Sequence, residues 1–171
     1  WGRLPLLERS LPWYRSILPQ AQATAKRQGY RGARWPKMIS PDGRDSPSEV
    51  GVFLIWQQPH PLYYAELCYR AHPERETLER YRELVFETAE FMASYPVWDE
   101  AGQRYVLGPA LIPAQESYKP ERARTLNPTF ELAYWYWALD TAQKWRQRLG
   151  MDRDAIWEKV IKNLSRPTIR D

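Results

Sequence analysis

"TLNPTFELAYWYWALDTAQKWRQRLG", residues 125–150, decides the fold. Asn127 is predicted to cap a helix that opens with Pro128, runs to Leu149 and stops at Gly150. Its first half, "FELAYWYWAL", is apolar nearly all round. Such a helix is expected to be an inner one, buried on most sides.

Helical spacing extends outward from it in both directions. Ser10 is placed to cap a helix from about Leu11, with Pro12 in its first turn and Trp13, Ile17, Ala21 and Ala25 on one face. Gly29 ends that helix and Pro19 is expected to kink it. A second helix is read over Pro59 to Ala71. A third covers Arg75 to Tyr95, with Leu78, Tyr81, Val85, Ala89 and Met92 aligned. Asp152 is taken as the start of the last helix, which carries Ile156, Trp157, Val160, Ile161 and Leu164. The one extended signal is "QRYVLG", a short strand or hairpin arm after the turn "DEAG". The fold class is therefore all-α: antiparallel helical hairpins in a single domain over residues 1–171, with a short β-hairpin in a long loop.

Connection lengths alternate. "HPE" and "GMD" make tight helical hairpins, whereas Tyr30–Gln58 and Pro96–Leu126 are long. Long connections with little regular structure usually carry function. If consecutive helices run antiparallel, both long loops reach the same end of the bundle. Each also leads into the N-terminus of a more apolar helix, where the helix dipole points outward.

Composition narrows the function classes. The chain has 171 residues, of which 43% are hydrophobic, enough for one domain with a core. Its nine Trp and eleven Tyr are mostly expected in that core, although sugar sites use the same rings as stacking platforms. The net charge of +4 comes from interleaved acids and bases, as in "ERETLERYRELVFE", which argues against nucleic-acid binding. A single cysteine, Cys68, gives no internal disulfide and reads as a small core residue. Apolar runs are too short for a membrane span and no signal peptide is visible, which leaves localisation open between periplasmic or secreted and cytoplasmic. With two histidines and no HxxxH or HExxH spacing, no metal is expected, and no cofactor motif is present.

The first long loop offers Arg34, Trp35, Lys37, Asp42, Asp45, Trp56, Gln57, Gln58 and His60. Aromatic rings beside paired amides suit a polyhydroxylated ligand. The same residues also suit a long ordered loop packed by its own Trp and Pro side chains. His60 reads as a hydrogen-bonding imidazole. The second loop carries "PAQES", with Gln115 and Glu116. Glu116 is either a surface glutamate or a general acid. The acid role requires a carboxyl kept protonated by burial or a like charge. Leu111, Ile112, Pro113 and Ala114 favour that state, and Lys119, Arg122 and Arg124 oppose it.

"GYRGARWPKM", "WQQPHPLYYAELCYR", "TLERYRELVFETAEFMAS", "YVLGPALIPAQES" and "TLNPTFELAYWYWAL" together resemble the six-hairpin glycosidases, the (α/α)6-toroid clan. Within it they are similar to bacterial glycosyl hydrolases related to the maltose and kojibiose phosphorylases and the inverting 1,2-α-L-fucosidases. The resemblance spans the chain to about Leu164. It implies part of an (α/α)6 toroid, a fragment of a larger catalytic domain acting on a carbohydrate substrate. It makes Glu116 the proton donor and places Asn127 near the same subsite. Arg34, Trp35, Lys37, Gln57, Gln58 and His60 become the sugar-contacting set, with Trp56 and Gln115 beside them. Inversion needs a second carboxylate, which the clan draws from outside this region. The local stand-ins are Asp42, Asp45, Glu49 and Glu66; a phosphorylase would use phosphate instead. An open part-toroid implies self-association or a second chain. The rival expectation is a non-catalytic helical module that binds a sugar or a protein.

Overall fold

The computed structural model describes residues 2–116 and 119–167, with the side chains of Gln115 and Lys119 outside that description. Six α-helices stand among the described residues: α1 (Leu4–Ser16), α2 (Leu18–Arg27), α3 (His60–Ala71), α4 (Arg75–Ser94), α5 (Thr129–Arg148) and α6 (Ala155–Asn163). One antiparallel hairpin, β1 (Val97–Asp99) and β2 (Arg104–Val106), sits in the second long loop, with Trp98 opposite Tyr105. The chain is thus mainly helical with a short β-hairpin.

Periodicity located α4 closely because its apolar face is long and regular, and flanking prolines and breakers bounded α3 and α5. Leu78, Tyr81, Val85, Ala89 and Met92 of α4 are all buried. They join Leu62, Ala65 and Cys68 of α3, Trp135 and Trp145 of α5, and Trp157 and Val160 of α6 in one core. Pro19 acts as expected. The backbone departs from helical geometry at Ile17 (φ −101°, ψ 5°), and α2 restarts with Pro19 in its first turn, where no N–H is needed.

Three expectations are corrected. The first helix begins at Leu4, not near Leu11, with Pro5 in its opening turn. The Ser10 hydroxyl is therefore mid-helix and donates to Leu7 O at 2.7 Å. The last helix is capped by Asp154 rather than Asp152; its carboxylate accepts from the amides of Ile156 and Trp157, and Ile156 is exposed. Finally, the first half of α5, expected to be buried on most sides, keeps one face open at Phe130 and Tyr136, each about half exposed.

Two polar devices tie the hairpins together. The Glu66 carboxylate of α3 accepts from Trp145 Nε1 at 2.7 Å and from both terminal nitrogens of Arg148 at 2.7 and 3.3 Å. Arg70, one turn along α3, adds a bond at 3.0 Å. The buried amide of Gln143 exchanges two bonds of 2.8 Å with the backbone of Asp154 and fixes the turn between α5 and α6.

Candidate functional site

The first long loop threads into the bundle before it reaches any cleft. Ala33 N donates to Glu87 O of α4 at 2.9 Å, and Arg34 N to Ala21 O of α2 at 3.1 Å. Gly32 makes that passage possible. Its φ is +66°, and a Cβ there would lie 2.3 Å from Glu87 O and 2.4 Å from Phe91 N.

Beyond this point four expected sugar contacts turn inward. Arg34 is 1% exposed; it donates to Leu54 O at 2.6 Å and to Gln58 Oε1 at 3.3 Å, and lies 5.5 Å from the centre of the Phe91 ring. Burial pulls its guanidinium down to about 10, still cationic near neutrality. Trp35 is buried and donates from Nε1 to Thr88 Oγ1 at 2.9 Å. Gln58 accepts from Trp35 N at 2.8 Å and donates to Ala33 O at 2.8 Å. Gln57 donates to the carbonyls of Trp35 and Leu54, both at 3.0 Å. These amides satisfy loop carbonyls that would otherwise be buried without partners.

The two long loops meet. Ile112 N of the second donates to Phe53 O of the first at 3.0 Å, and Arg122 lies over the Phe53 ring at 5.5 Å. Where they join, Lys37 of the first loop forms an ion pair with Glu116 of the second. Lys37 and Glu116 line a pocket of about 170 Å³ together with Arg34, Asp45, Ser46 and Ser48. Glu116 closes a single-turn 3₁₀ segment, Ala114–Glu116, and has a left-handed φ of 54°. Asp45 is held by Arg27 at 2.7 Å. Of the stand-in carboxylates, Asp45 lines this pocket. Asp42 is engaged by Ser40 and Arg44, and Glu66 is committed to Trp145 and the arginines.

The remaining expected residues fall elsewhere. His60 bonds through Nδ1 with the Tyr134 hydroxyl at 3.0 Å, its ring 5.6 Å from that of Trp56. Burial lowers the imidazole, favouring its neutral form. His60 lines an open aromatic groove of about 460 Å³ with Tyr63, Tyr64, Phe130, Tyr134 and Trp137. Asn127 does not cap α5, whose preceding residue is Pro128. It forms a two-bond clamp with Leu107, each bond 2.8 Å, its side-chain oxygen accepting from Leu107 N. The Gln115 side chain lies outside the described residues. The expected binding set thus divides into a pocket pair, Lys37 and Glu116; an internal group, Trp35, Gln57 and Gln58, with buried Arg34 reaching the pocket wall; and an aromatic group, Trp56 and His60.

A further acid, absent from the expected set, stands at this site. Glu131, in the first turn of α5, is 1% exposed. Its Oε1 accepts from Ala114 N at 2.7 Å, and its Oε2 is buried without a hydrogen-bond partner among the described residues. Burial raises it above the ordinary carboxyl range, against the pull of its own amide and that of Ala114. A lone carboxylate inside "FELAYWYWAL" was the available signal, because an acid on a helix apolar all round needs a specific partner.

Among the described residues, no group of three or more His, Cys, Asp or Glu side chains is placed to hold a metal ion, and no helix is long and apolar enough to cross a membrane. The chain matches no protein-family model and no curated protein.

Proposed function

We propose that the chain is part of the catalytic region of an inverting glycoside hydrolase, with Glu116 as the proton donor to the glycosidic oxygen. The observation that supports this best is the junction of the two long loops, which sets Glu116 against a pocket lined by Lys37, Asp45, Ser46 and Ser48. Hydroxyl, ammonium and carboxylate groups around a small cleft suit the paired hydroxyls of a sugar ring. Asp45 is the local candidate for the water-activating carboxylate, which in inverting enzymes stands roughly 6.5–9.5 Å from the acid.

In this reading Lys37 holds Glu116 before substrate arrives. An adjacent ammonium favours the ionised carboxyl, so proton donation requires the lysine to transfer to a sugar hydroxyl as the ring enters. The same ion pair favours the rival reading, a non-catalytic sugar-binding module in which Lys37 and Glu116 both serve as hydrogen-bonding groups. The aromatic groove between α3 and α5 is where a further helical hairpin, from a second copy or another chain, would pack to extend the bundle.

Titration with a panel of monosaccharides, followed by backbone and side-chain NMR, tests the site. Shifts centred on Lys37, Ser46, Ser48 and Glu116 are expected. A panel that leaves all four unmoved overturns the pocket as a sugar site. Light scattering tests the face: association is expected, and a monodisperse monomer at high concentration counts against a packing role for the groove.

A further inference from the structure

We infer that Glu131 is the positioning residue for Glu116, its carboxyl holding the Ala114–Glu116 turn against the first turn of α5. The inference rests on the reading of Glu116 as the working acid.

The geometry is specific. Glu131 Oε1 reaches out of its own helix to the Ala114 amide at 2.7 Å, two residues before Glu116. The 3₁₀ turn between them is a single turn that ends on a left-handed, non-glycine residue. A conformation of that kind persists only where its surroundings over-determine it. Besides the ion pair with Lys37, contacts along the loop contribute. Ile112 N ties the loop to Phe53 O upstream, Glu116 N closes the turn on Pro113 O at 2.9 Å, and Glu131 joins the turn to α5. α5 is well suited as a base, since Trp135, one turn beyond Glu131, is fully buried and donates to Met92 O at 2.8 Å.

The surroundings also indicate the form in which Glu131 acts. It is nearly fully buried, and its second oxygen has no partner among the described residues. An ionised carboxylate in that setting would be strongly disfavoured, whereas a neutral acid accepts from Ala114 through one oxygen and keeps its proton on the other. Glutamine reproduces that arrangement, with an acceptor oxygen and an N–H in place of the O–H. A structural filler would show no such preference.

The test compares the folded chain with E131A, E131D and E131Q by amide exchange at Ala114 and by the Glu116 carboxyl-carbon resonance. Loss of one bond of this kind speeds exchange at Ala114 by about tenfold. E131A is expected to show that acceleration together with a displaced Glu116 resonance. E131D, too short by one methylene, shows the same if E131A does not fold. E131Q is expected to match the parent in both readouts. Parent-like exchange and an unmoved Glu116 signal in E131A or E131D overturn the inference, as does a folded E131Q that fails to restore them. A pocket that binds no sugar overturns the glycosidase reading but leaves these readouts standing. The reverse result removes the positioning role and leaves sugar binding intact.

Discussion

Arg148 of α5 places a terminal guanidinium nitrogen 2.7 Å from Glu66 Oε2, and the same oxygen accepts from Trp145 Nε1, also at 2.7 Å. Glu66 is buried, and its partners come from two helices, so this contact joins the hairpins rather than decorating one. Removing one partner of a buried pair strands the other. Glu66→Ala is therefore expected to destabilise the chain by about 3–5 kcal/mol in urea unfolding. A loss below about 1 kcal/mol would show the network to be incidental.

The same carboxyl gives a pH dependence. Burial alone would raise Glu66, but the bonds from Arg148, Trp145 and Arg70 outweigh it and leave it below the usual glutamate range. Stability from a lowered carboxyl is fully present above the unfolded value, near 4.5, and is lost as pH falls through the folded value. Melting temperature of the parent should drop through the acid range below that point. Glu66→Gln, less stable at neutral pH, should show a flatter acid limb; parallel limbs would remove Glu66 as a cause.

Gly32 permits the loop that carries the site. Alanine there adopts a left-handed φ of +66° and drives its Cβ into Glu87 O and Phe91 N. Strain and clash together are expected to cost more than about 2 kcal/mol. Calorimetry of Gly32→Ala beside Gly29→Ala is the control, because a Cβ at Gly29 meets nothing within 4 Å. Equal losses at both positions would contradict the close passage described above.

Much of the fold was legible because it rests on periodicity. The aligned apolar residues of α4, the tight turns at "HPE" and "GMD", and the two long loops follow from spacing and breakers. Their meeting on one face, sealed by Ile112 on Phe53, follows from the alternation of connection lengths. What sequence could not supply was the choice among equivalent partners. Asn127 carries the chemistry of a helix cap, yet its oxygen turns back to Leu107. Gln57 and Gln58 carry the chemistry of a sugar site, yet their amides go to Trp35, Leu54 and Ala33. Those partners are distant in sequence, and hydrogen-bonding capacity does not specify distance. The first helix opens at Leu4 rather than near Leu11 because Pro5 and Ser10 are both valid opening signals.

The Asn127 clamp can be tested directly. Asn127→Ala removes the acceptor for Leu107 N and leaves an alanine at φ 52°, with an expected loss of about 2 kcal/mol. Asn127→Asp keeps the acceptor and tolerates the backbone, and is expected to lose less than half as much in urea unfolding. Equal losses would show that the side-chain bond contributes nothing.

The central claim is that Glu116 donates a proton to a leaving group. Under the proposed function, its most direct test is Glu116→Gln, assayed on aryl glycosides that span phenols of weak to strong acidity. The account predicts a fall in kcat/KM of about 10²–10⁴-fold for poor leaving groups, shrinking toward the parent rate as the phenol becomes more acidic, with sugar binding retained. A fully active variant, or a loss of the same size for every leaving group, would contradict it.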